Sequence, residues 1–438
     1  MMAASGTETS LAGNYRSSSA SYYAALSGLE EARTRLISKN PPNPSGLGSY
    51  LPLSLGHVIY ITNPLASETV DPTNLGNPAT YPDTEYSKEF FGSPSSVQIV
   101  SSTQSLAGSP NALYKWVRIN MLTERALRVD VNDTSSNNSS WNSTQTVRFD
   151  GTNLTRASAP YQALGITALA ALPDGSRKLL QYVAAPITLQ IPVTSALTFS
   201  GPGTPSNVAS FNPPPGATSF YVDGNDQCSV KVPLPGVGVT NDNDYTSVDN
   251  SLKAPSPHQD HYTGAGGYLP NISQSPYTLP VNTQVDFTDA ISISNFLPVV
   301  QNAADSFLNG PRTEADMPAS MSASNPMTVY VNGDLSLTGF TGYGLLVVRG
   351  NLTYTGDSGW KGIVVVLGGT MEEVGSADGG EFDGAVIVVN LGVASLGRPT
   401  YIVASPGGKG VYYNSCWVNS AEKPYMYKVL AFHEIPYP

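Results

Sequence analysis

The sequence predicts an α+β, mainly β fold with a long N-terminal helix, an antiparallel β-sheet domain and a C-terminal parallel β-helix-like (solenoid) domain. Three observations support this prediction. Apolar side chains recur every seven residues near the N-terminus, residues 95–200 alternate apolar and polar side chains, and glycine-bounded apolar runs follow residue 326. The first pattern is typical of a packed helix and the second of strands with one buried face.

The first domain is predicted to be one amphipathic helix over residues 1–40. Large apolar side chains recur in one row, formed by Tyr15, Tyr22, Leu29 and Leu36. Small or apolar side chains form a companion row of Leu11, Ser18, Ala25 and Ala32. Pro41 and Pro42 predict that the helix stops near residue 39. We expect this seam to dock on another helix or a sheet through Leu11, Tyr15, Tyr22, Leu26, Leu29 and Leu36.

Residues 41–200 are predicted to form the β-sheet domain. Its period-two runs are SVQIVSS, YKWVRINML, ALRVDV, TVRFDGTNLT and APITLQIPV. Runs of this kind favour about five strands joined as antiparallel hairpins. Residues 201–325 are rich in Pro, Asn and Asp and are predicted to connect the domains, with one helix at Asp289–Leu308.

Residues 326–438 are predicted to form the solenoid-like domain and its closing strands. The runs TVYVNGDLSLTG, GLLVVRGNLTYTG, GIVVVLGG and GAVIVVN are bounded by glycine. The glycines recur about every 20 residues, near the length of one coil of a parallel β-helix. Exposed ends of such a stack recruit other chains unless they are covered, so self-association is a further expectation.

Composition indicates an extracellular protein that does not bind nucleic acid. Only 13% of residues are charged, while Gly, Pro and Tyr number 41, 35 and 24. The net charge is −11, and the sequence has no basic stripe of the kind that neutralises the phosphates of nucleic acid. Two cysteines, Cys228 and Cys416, exclude a thiolate zinc cluster and leave open either one disulfide or two buried thiols.

Few residues indicate metal binding or catalysis. Asp242, Asp244 and Asp249 lie in an Asn-rich segment whose oxygen ligands suit Ca²⁺, although the segment lacks the EF-hand pattern. No other cofactor is expected. The HQDH segment places His258 and His261 three residues apart, although the adjacent prolines argue against a helix there. A glycoside hydrolase would need two carboxylates, and the candidates are Glu372, Glu373, Asp378, Glu381 and Asp383.

Two segments carry a resemblance to a known family. The segment TETSLAGNYRSSSASYYAALSGLEEARTRL resembles the stretch that follows the membrane helix in PilX-like type IV pilus assembly proteins, a group of minor pilins. The segment VYYNSCWVNSAEKPYMYKVLAFHEIPYP, residues 411–438, resembles the closing stretch of longer members. The family begins with about twenty apolar residues, which Met1–Ala4 do not supply, so we expect that this chain starts below the membrane helix.

The resemblance implies a non-enzymatic, extracellular structural or adhesion protein of the pilus (fimbrium). Its N-terminal helix would be pilin-like and would assemble the chain into a filament or a pilus tip. The implied partners are other pilins or a pilus-tip adhesin, with a membrane contact only through a helix missing from this chain. The alternative is a secreted β-helix carbohydrate-binding module or glycoside hydrolase.

Overall fold

The computed structural model describes residues 2–37, 50–102, 113–131, 141–156, 159, 161–214, 220–253, 258–274, 285–355, 357–374, 380–404 and 409–436, with the backbone alone for residues 2–10. The chain forms two compact units. Unit 1 comprises Met1–Ile187 and Pro424–Pro438, and unit 2 comprises Thr188–Lys423. The boundaries of these units differ from those of the four predicted segments, which are 1–40, 41–200, 201–325 and 326–438.

Unit 1 starts with helix α1, Met2–Arg35, which is 34 residues long. Basic residues Arg33 and Arg35 occupy its last turn, where cations favour the helix dipole. Pro41 and Pro42 lie outside the described residues. The short helices are α2 (Glu85–Phe90) and α3 (Glu124–Leu127). The strands before residue 189 are β1 (His57–Thr62), β2 (Ser96–Ser101), β3 (Tyr114–Met121), β4 (Arg148–Phe149), β5 (Leu154–Thr155), β6 (Tyr161–Gln162), β7 (Leu164–Ala171) and β8 (Arg177–Thr188).

The main sheet of unit 1 has six strands in the order β2-β1-β3-β7-β8 followed by the last strand of the chain, Pro424–Ile435. Strands β1, β3, β7 and β8 pair antiparallel, whereas β1 and β2 pair parallel. Strands β5, β4 and β6 form a small antiparallel sheet. Helix α1 covers one face of the main sheet, and that face carries the larger apolar cluster of the unit.

The opposite face of the main sheet buries a charged network around Arg118. The guanidinium of Arg118 is fully buried and lies 2.6 Å from a carboxylate oxygen of Asp83. It also pairs with Glu89 and donates to the side chains of Asn120 and Thr167. The hydroxyl of Tyr60 donates to Asp83 at 2.8 Å. Each buried charge therefore has an opposite charge and hydrogen-bond partners, as burial in a low dielectric requires.

Unit 2 contains three helices and eighteen strands among its described residues. The helices are α4 (Asp242–Lys253), α5 (Ala290–Ala303) and α6 (Ser415–Ala421). The strands to residue 313 are β9 (Leu197–Ser200), β10 (Ser210–Asn212), β11 (Tyr221–Asp223), β12 (Val237–Val239), β13 (Tyr262–Thr263), β14 (Ile272–Gln274), β15 (Ser306–Asn309) and β16 (Arg312–Thr313). The later strands are β17 (Met327–Asn332), β18 (Leu335–Thr338), β19 (Thr341–Val348), β20 (Leu352–Thr355), β21 (Gly359–Val366), β22 (Thr370–Glu373), β23 (Glu381–Leu391), β24 (Leu396–Gly397), β25 (Thr400–Val403) and β26 (Gly410–Tyr413).

Two parallel sheets organise unit 2. One has six strands in the order β10-β25-β22-β20-β18-β16. The other has twelve strands, and its main path is β13-β11-β26-β23-β21-β19-β17-β15. Successive strands from β15 to β23 alternate between the two sheets. Aromatic side chains such as Trp360, Tyr354 and Phe382 are buried in this unit, and Phe211 stacks on Tyr401 at 5.5 Å.

A row of glycines lets neighbouring strands of the larger sheet approach closely. Gly344, Gly362 and Gly384 pair in register across β19, β21 and β23. All three have positive φ, and a Cβ atom on Gly362 would lie 2.0 Å from the carbonyl oxygen of Gly344. Only glycine adopts such a backbone conformation without strain and leaves room for that oxygen.

The predicted fold class, an antiparallel sheet domain followed by a C-terminal solenoid domain, is wrong. The described residues are mainly β, with 39% strand and 21% helix, and they form several parallel sheets and no solenoid. The parallel sheets do not begin at residue 326, because strands from Leu197 onward join them. The sheet of unit 1 is not purely antiparallel, and it includes the last strand of the chain. Local patterns indicate strands, but the pairing of distant segments depends on tertiary packing.

Three local predictions also differ from the structure. The predicted strand ALRVDV overlaps helix α3, which begins because the hydroxyl of Thr123 accepts a hydrogen bond from the N–H of Ala126. The helix predicted to reach Leu308 ends at Ala303, and strand β15 follows it. The region predicted to hold one helix holds two, since the Asn- and Asp-rich segment forms α4.

Candidate functional site

The C-terminal half of α1 is part of the core of unit 1. Ala25, Leu29 and Ala32 are fully buried, and Leu36 is nearly so. They pack in one cluster with side chains of β1, β3, β7 and β8. A Cβ atom on Gly28 would lie 2.9 Å from the ring of Tyr114. The small side chains of this row therefore allow the helix to lie close to the sheet.

Polar contacts fix the same half of the helix in place. Arg33 pairs with Glu30 and donates to the backbone carbonyl of Tyr427 at 3.0 Å. Tyr182 in β8 donates its hydroxyl hydrogen to Glu30 at 3.0 Å. Burial is the main cause that raises the pKa of Tyr182 to about 12, and the carboxylate of Glu30 adds to it. The hydroxyl therefore stays a donor at physiological pH.

The N-terminal half of α1 has a different environment. Residues 11–16 are all exposed. Leu11 is 72% exposed and Tyr15 is 77% exposed. Ser17 reaches Asp174 by a hydrogen bond, and Tyr22 packs edge-on against Phe432, with 6.2 Å between ring centroids. The exposed surface around Leu11 and Tyr15 is called the distal helix face below.

The six predicted docking residues thus fall into three environments. Leu11 and Tyr15 are exposed, Tyr22 and Leu26 are half-buried, and Leu29 and Leu36 belong to the core of unit 1. Leu29 and Leu36 are therefore covered by the sheet of their own chain. The seven-residue repeat indicated one continuous seam, but it did not show where the sheet beneath the helix stops.

Cys228 and Cys416 form a disulfide with a Cα–Cα distance of 5.8 Å across 188 residues of sequence. Asp226 lies beside it and joins the two segments. Its carboxylate accepts hydrogen bonds from the N–H groups of Cys228 and Ser415 and from the Ser415 hydroxyl. Burial raises the pKa of Asp226, but hydrogen bonds from Ser415, Lys231 and Val230 outweigh it and hold that pKa below its ordinary value. Sequence reasoning missed this role, because an Asp two residues before a Cys carries no distinctive signal.

The three aspartates predicted to bind calcium lie on helix α4 and do not converge. Asp244 is buried and accepts from the N–H of Ala209 at 2.6 Å and from the side chain of Asn241 at 2.6 Å. Burial raises its pKa. Asp249 pairs with Lys253 at 2.6 Å, and Asp242 lies in the first turn. Across the described ranges these carboxylates belong to no group of three or more potential ligands.

The HQDH segment does bring potential ligands together. The imidazoles of His258 and His261 and the carboxylate of Asp260 offer ligand atoms that all lie within 4.8 Å of one another. Residues 259–261 form one turn of 3-10 helix, in which side chains three apart eclipse each other. The two imidazoles accordingly stack with centroids 4.6 Å apart. The adjacent prolines, Pro255 and Pro257, lie outside the described residues.

The candidate hydrolase carboxylates do not form an open pair. Glu373 is buried, its Oε2 lies 3.5 Å from the Tyr354 hydroxyl, and burial raises its pKa to about 7. Asp383 pairs with Lys361 at 2.8 Å, and Glu381 lies 3.5 Å from Lys409. Glu372 alternates with Glu373 on β22 and is less buried. Asp378 lies outside the described residues.

Comparison with protein-family models, with curated proteins and with solved structures finds no match for this chain. The resemblance to PilX-like proteins therefore stays a prediction from the two quoted segments. Within the described ranges, no helix combines the length and apolar character needed to cross a membrane.

Proposed function

We propose that this chain is a non-enzymatic extracellular structural or adhesion protein that assembles as a minor pilin-like subunit through the distal helix face. The observation that carries the proposal is the division of α1. One half is held in the core of unit 1, and the other half presents Leu11 and Tyr15 to solvent. A helix anchored at one end and exposed at the other is suited to packing against helices of neighbouring subunits.

The exposed apolar side chains of the distal helix face would favour association, because a partner would remove them from water. Burying a large apolar side chain such as Leu11 contributes about 1.5–3 kcal/mol. Tyrosines bury a large area and lose little conformational entropy, so Tyr15 suits a protein interface. The expected partners are other pilins or a pilus-tip adhesin, which would supply the complementary helices.

Two further features support an extracellular location. The Cys228–Cys416 disulfide is a bond that persists in oxidising compartments. The low content of charged residues, 13%, differs from that of a typical cytosolic enzyme. The disulfide and the distal helix face both fit a structural role.

Site-specific photocrosslinking in the native organism tests this proposal. A benzoylphenylalanine at position 15 is expected to capture another pilin subunit, identified by mass spectrometry of the crosslinked band. The matched position is Ala20, which is exposed on the opposite side of the same helix and should capture little. Equal yields from the two positions, or no pilin in the product from position 15, would contradict the proposal.

A further inference from the structure

His258, Asp260 and His261 are three potential metal ligands of unit 2 that neither the disulfide nor the distal helix face involves. The backbone that carries them is well placed, because the 3-10 turn Gln259–His261 leads directly into β13. Strand β13 pairs in register with β11 at the end of the main path of the larger sheet. The turn is therefore attached to a strand that is paired in the larger sheet.

Two contacts orient His261 before any ion binds. Its Nδ1 lies 3.1 Å from the backbone carbonyl oxygen of Phe220, and its ring stacks on Tyr221 with centroids 4.1 Å apart. A carbonyl oxygen only accepts, so Nδ1 must carry the hydrogen, and in neutral imidazole this leaves the lone pair on Nε2. A hydrogen bond from the second ring nitrogen to a backbone carbonyl is the usual support of a metal-binding histidine.

We propose that His258, Asp260 and His261 form a binding site for one divalent transition-metal ion of the Zn²⁺ class. Two imidazoles and one carboxylate suit Zn²⁺, Ni²⁺, Cu²⁺ and Co²⁺, whereas Ca²⁺ and Mg²⁺ prefer oxygen ligands alone. Three protein ligands leave a fourth tetrahedral position for water or another exchangeable donor.

To receive the ion, His258 must rotate out of its stack on His261, because a metal ion lies in the plane of each imidazole that binds it. Two ligands of a tetrahedral Zn²⁺ lie about 3.3 Å apart, given metal–ligand distances near 2.0–2.2 Å. One ring nitrogen of each histidine and one carboxylate oxygen of Asp260 already lie within 4.8 Å of one another. His261 is buried and oriented, while His258 is half-buried and Asp260 is exposed. Side-chain rotation of His258 and Asp260 would close the remaining gap, while His261 keeps its contacts.

The test is metal binding by the full chain with its disulfide intact. After removal of metal with a chelator, the protein is titrated with Zn²⁺ by equilibrium dialysis, and with Co²⁺ while its visible absorption is recorded. We expect one ion per chain and a Co²⁺ spectrum of nitrogen and oxygen coordination. We expect His258→Asn to lower affinity about 100-fold, and Asp260→Asn about tenfold or more, since each variant removes a direct ligand.

His433→Asn is the matched control, because His433 is an exposed histidine of the last strand in unit 1. It should bind like the wild type. Circular dichroism of each variant establishes that the fold is retained, which is expected since neither His258 nor Asp260 is buried in the core. Absence of saturable binding in the wild type, or wild-type affinity in His258→Asn or Asp260→Asn, overturns the assignment.

Discussion

Arg118 is the residue whose surroundings most constrain unit 1. It is fully buried between Asp83 and Glu89, and the ring of Tyr86 lies 5.3 Å from its guanidinium carbon. Burial alone would lower the pKa of Arg118, but the attraction of Asp83 and Glu89 outweighs burial and raises it. The charge on Arg118 is therefore permanent, and the two carboxylates depend on it.

Replacing Arg118 should destabilise unit 1 strongly. We expect Arg118→Met to lower the free energy of unfolding by about 3–5 kcal/mol, because it leaves the buried carboxylate of Asp83 and the partly buried carboxylate of Glu89 without this cation. Chemical denaturation followed by circular dichroism measures the effect. Arg177→Met is the control, since Arg177 is exposed on β8 with its guanidinium carbon 5.8 Å from the Tyr81 ring centroid, and its loss should change stability by about 1 kcal/mol or less. Equal effects of the two substitutions would contradict this account of the network.

Glu373 makes the stability of unit 2 depend on pH. Burial raises its pKa from the ordinary 4.5 to about 7, and among the described residues its Oε1 has no hydrogen-bond partner. Because the folded carboxyl holds its proton more tightly than the unfolded one, its contribution to stability falls as pH rises from about 4.5 to 7 and is constant above that range.

Glu373→Gln should remove this pH dependence. The free energy of unfolding of the variant, relative to the wild type, should rise by about 2–3 kcal/mol between pH 5 and pH 8. Denaturation curves of both proteins at the two pH values measure the difference. Glu372→Gln serves as the control, because Glu372 points to the other side of β22. A difference that stays constant between the two pH values would show that Glu373 is not protonated when buried.

At the residue scale, the sequence indicated which residues are notable better than it indicated what they contact. The two cysteines were expected as a possible pair, and the structure joins them. The prolines beside His258 argue against an α-helix that would bring His258 and His261 together, whereas the segment uses a 3-10 turn. Asp244 indicated a cation ligand, yet it serves as an acceptor for the backbone of Ala209. These outcomes depend on which distant segments contact each other in the fold. A single position in the sequence does not show this.

At the scale of elements, the glycine row of the larger sheet sets the distance between strands. A Cβ atom at position 362 would meet the backbone of Gly344, and φ there is +143°. We expect Gly362→Ala to lower the free energy of unfolding of unit 2 by about 3 kcal/mol or more, since both backbone strain and a clash with main-chain atoms oppose it.

Gly310→Ala is the matched control for that substitution. Gly310 also has positive φ, but a Cβ atom there would have no neighbour within 4 Å. Its replacement should carry only the cost of the left-handed backbone, about 1–2 kcal/mol. Thermal denaturation of both variants measures the comparison. A Gly362→Ala protein as stable as Gly310→Ala would show that the strands can separate to admit a methyl group.

Helix α1 contains two segments with opposite energetic roles. Leu29 is fully buried against the sheet, whereas Leu11 is mostly exposed. We therefore expect Leu29→Ala to lower the free energy of unfolding of unit 1 by about 2–5 kcal/mol, and Leu11→Ala to change it by about 0.5 kcal/mol or less. Denaturant titration of the isolated chain measures both. Similar losses from the two substitutions would mean that Leu11 also packs within the monomer.

At the scale of the whole molecule, the sequence runs predicted β2–β5, β17–β21 and β23, but neither β7 nor the way in which the strands pair. Period-two and glycine patterns are local, so they indicate that a segment is a strand but not which strand it pairs with. The partners β10 and β11 come from residues 201–325, which composition marked as connecting, because short strands flanked by Pro and Asn resemble loops. The return of the last strand to the sheet of unit 1 is a long-range pairing that no local window contains.

The central claim is that the distal helix face assembles this chain with other subunits. The most direct measurement is the amount of chain recovered in sheared filaments from the native organism, for Leu11→Lys, Tyr15→Lys and Ala20→Lys. A charge forced into an apolar interface should lower recovery about tenfold or more for the first two variants. Ala20→Lys, with the same charge on the opposite side of the helix, should be recovered like the wild type. Wild-type recovery of Leu11→Lys and Tyr15→Lys would contradict the claim, as would absence of the wild-type chain from the filaments.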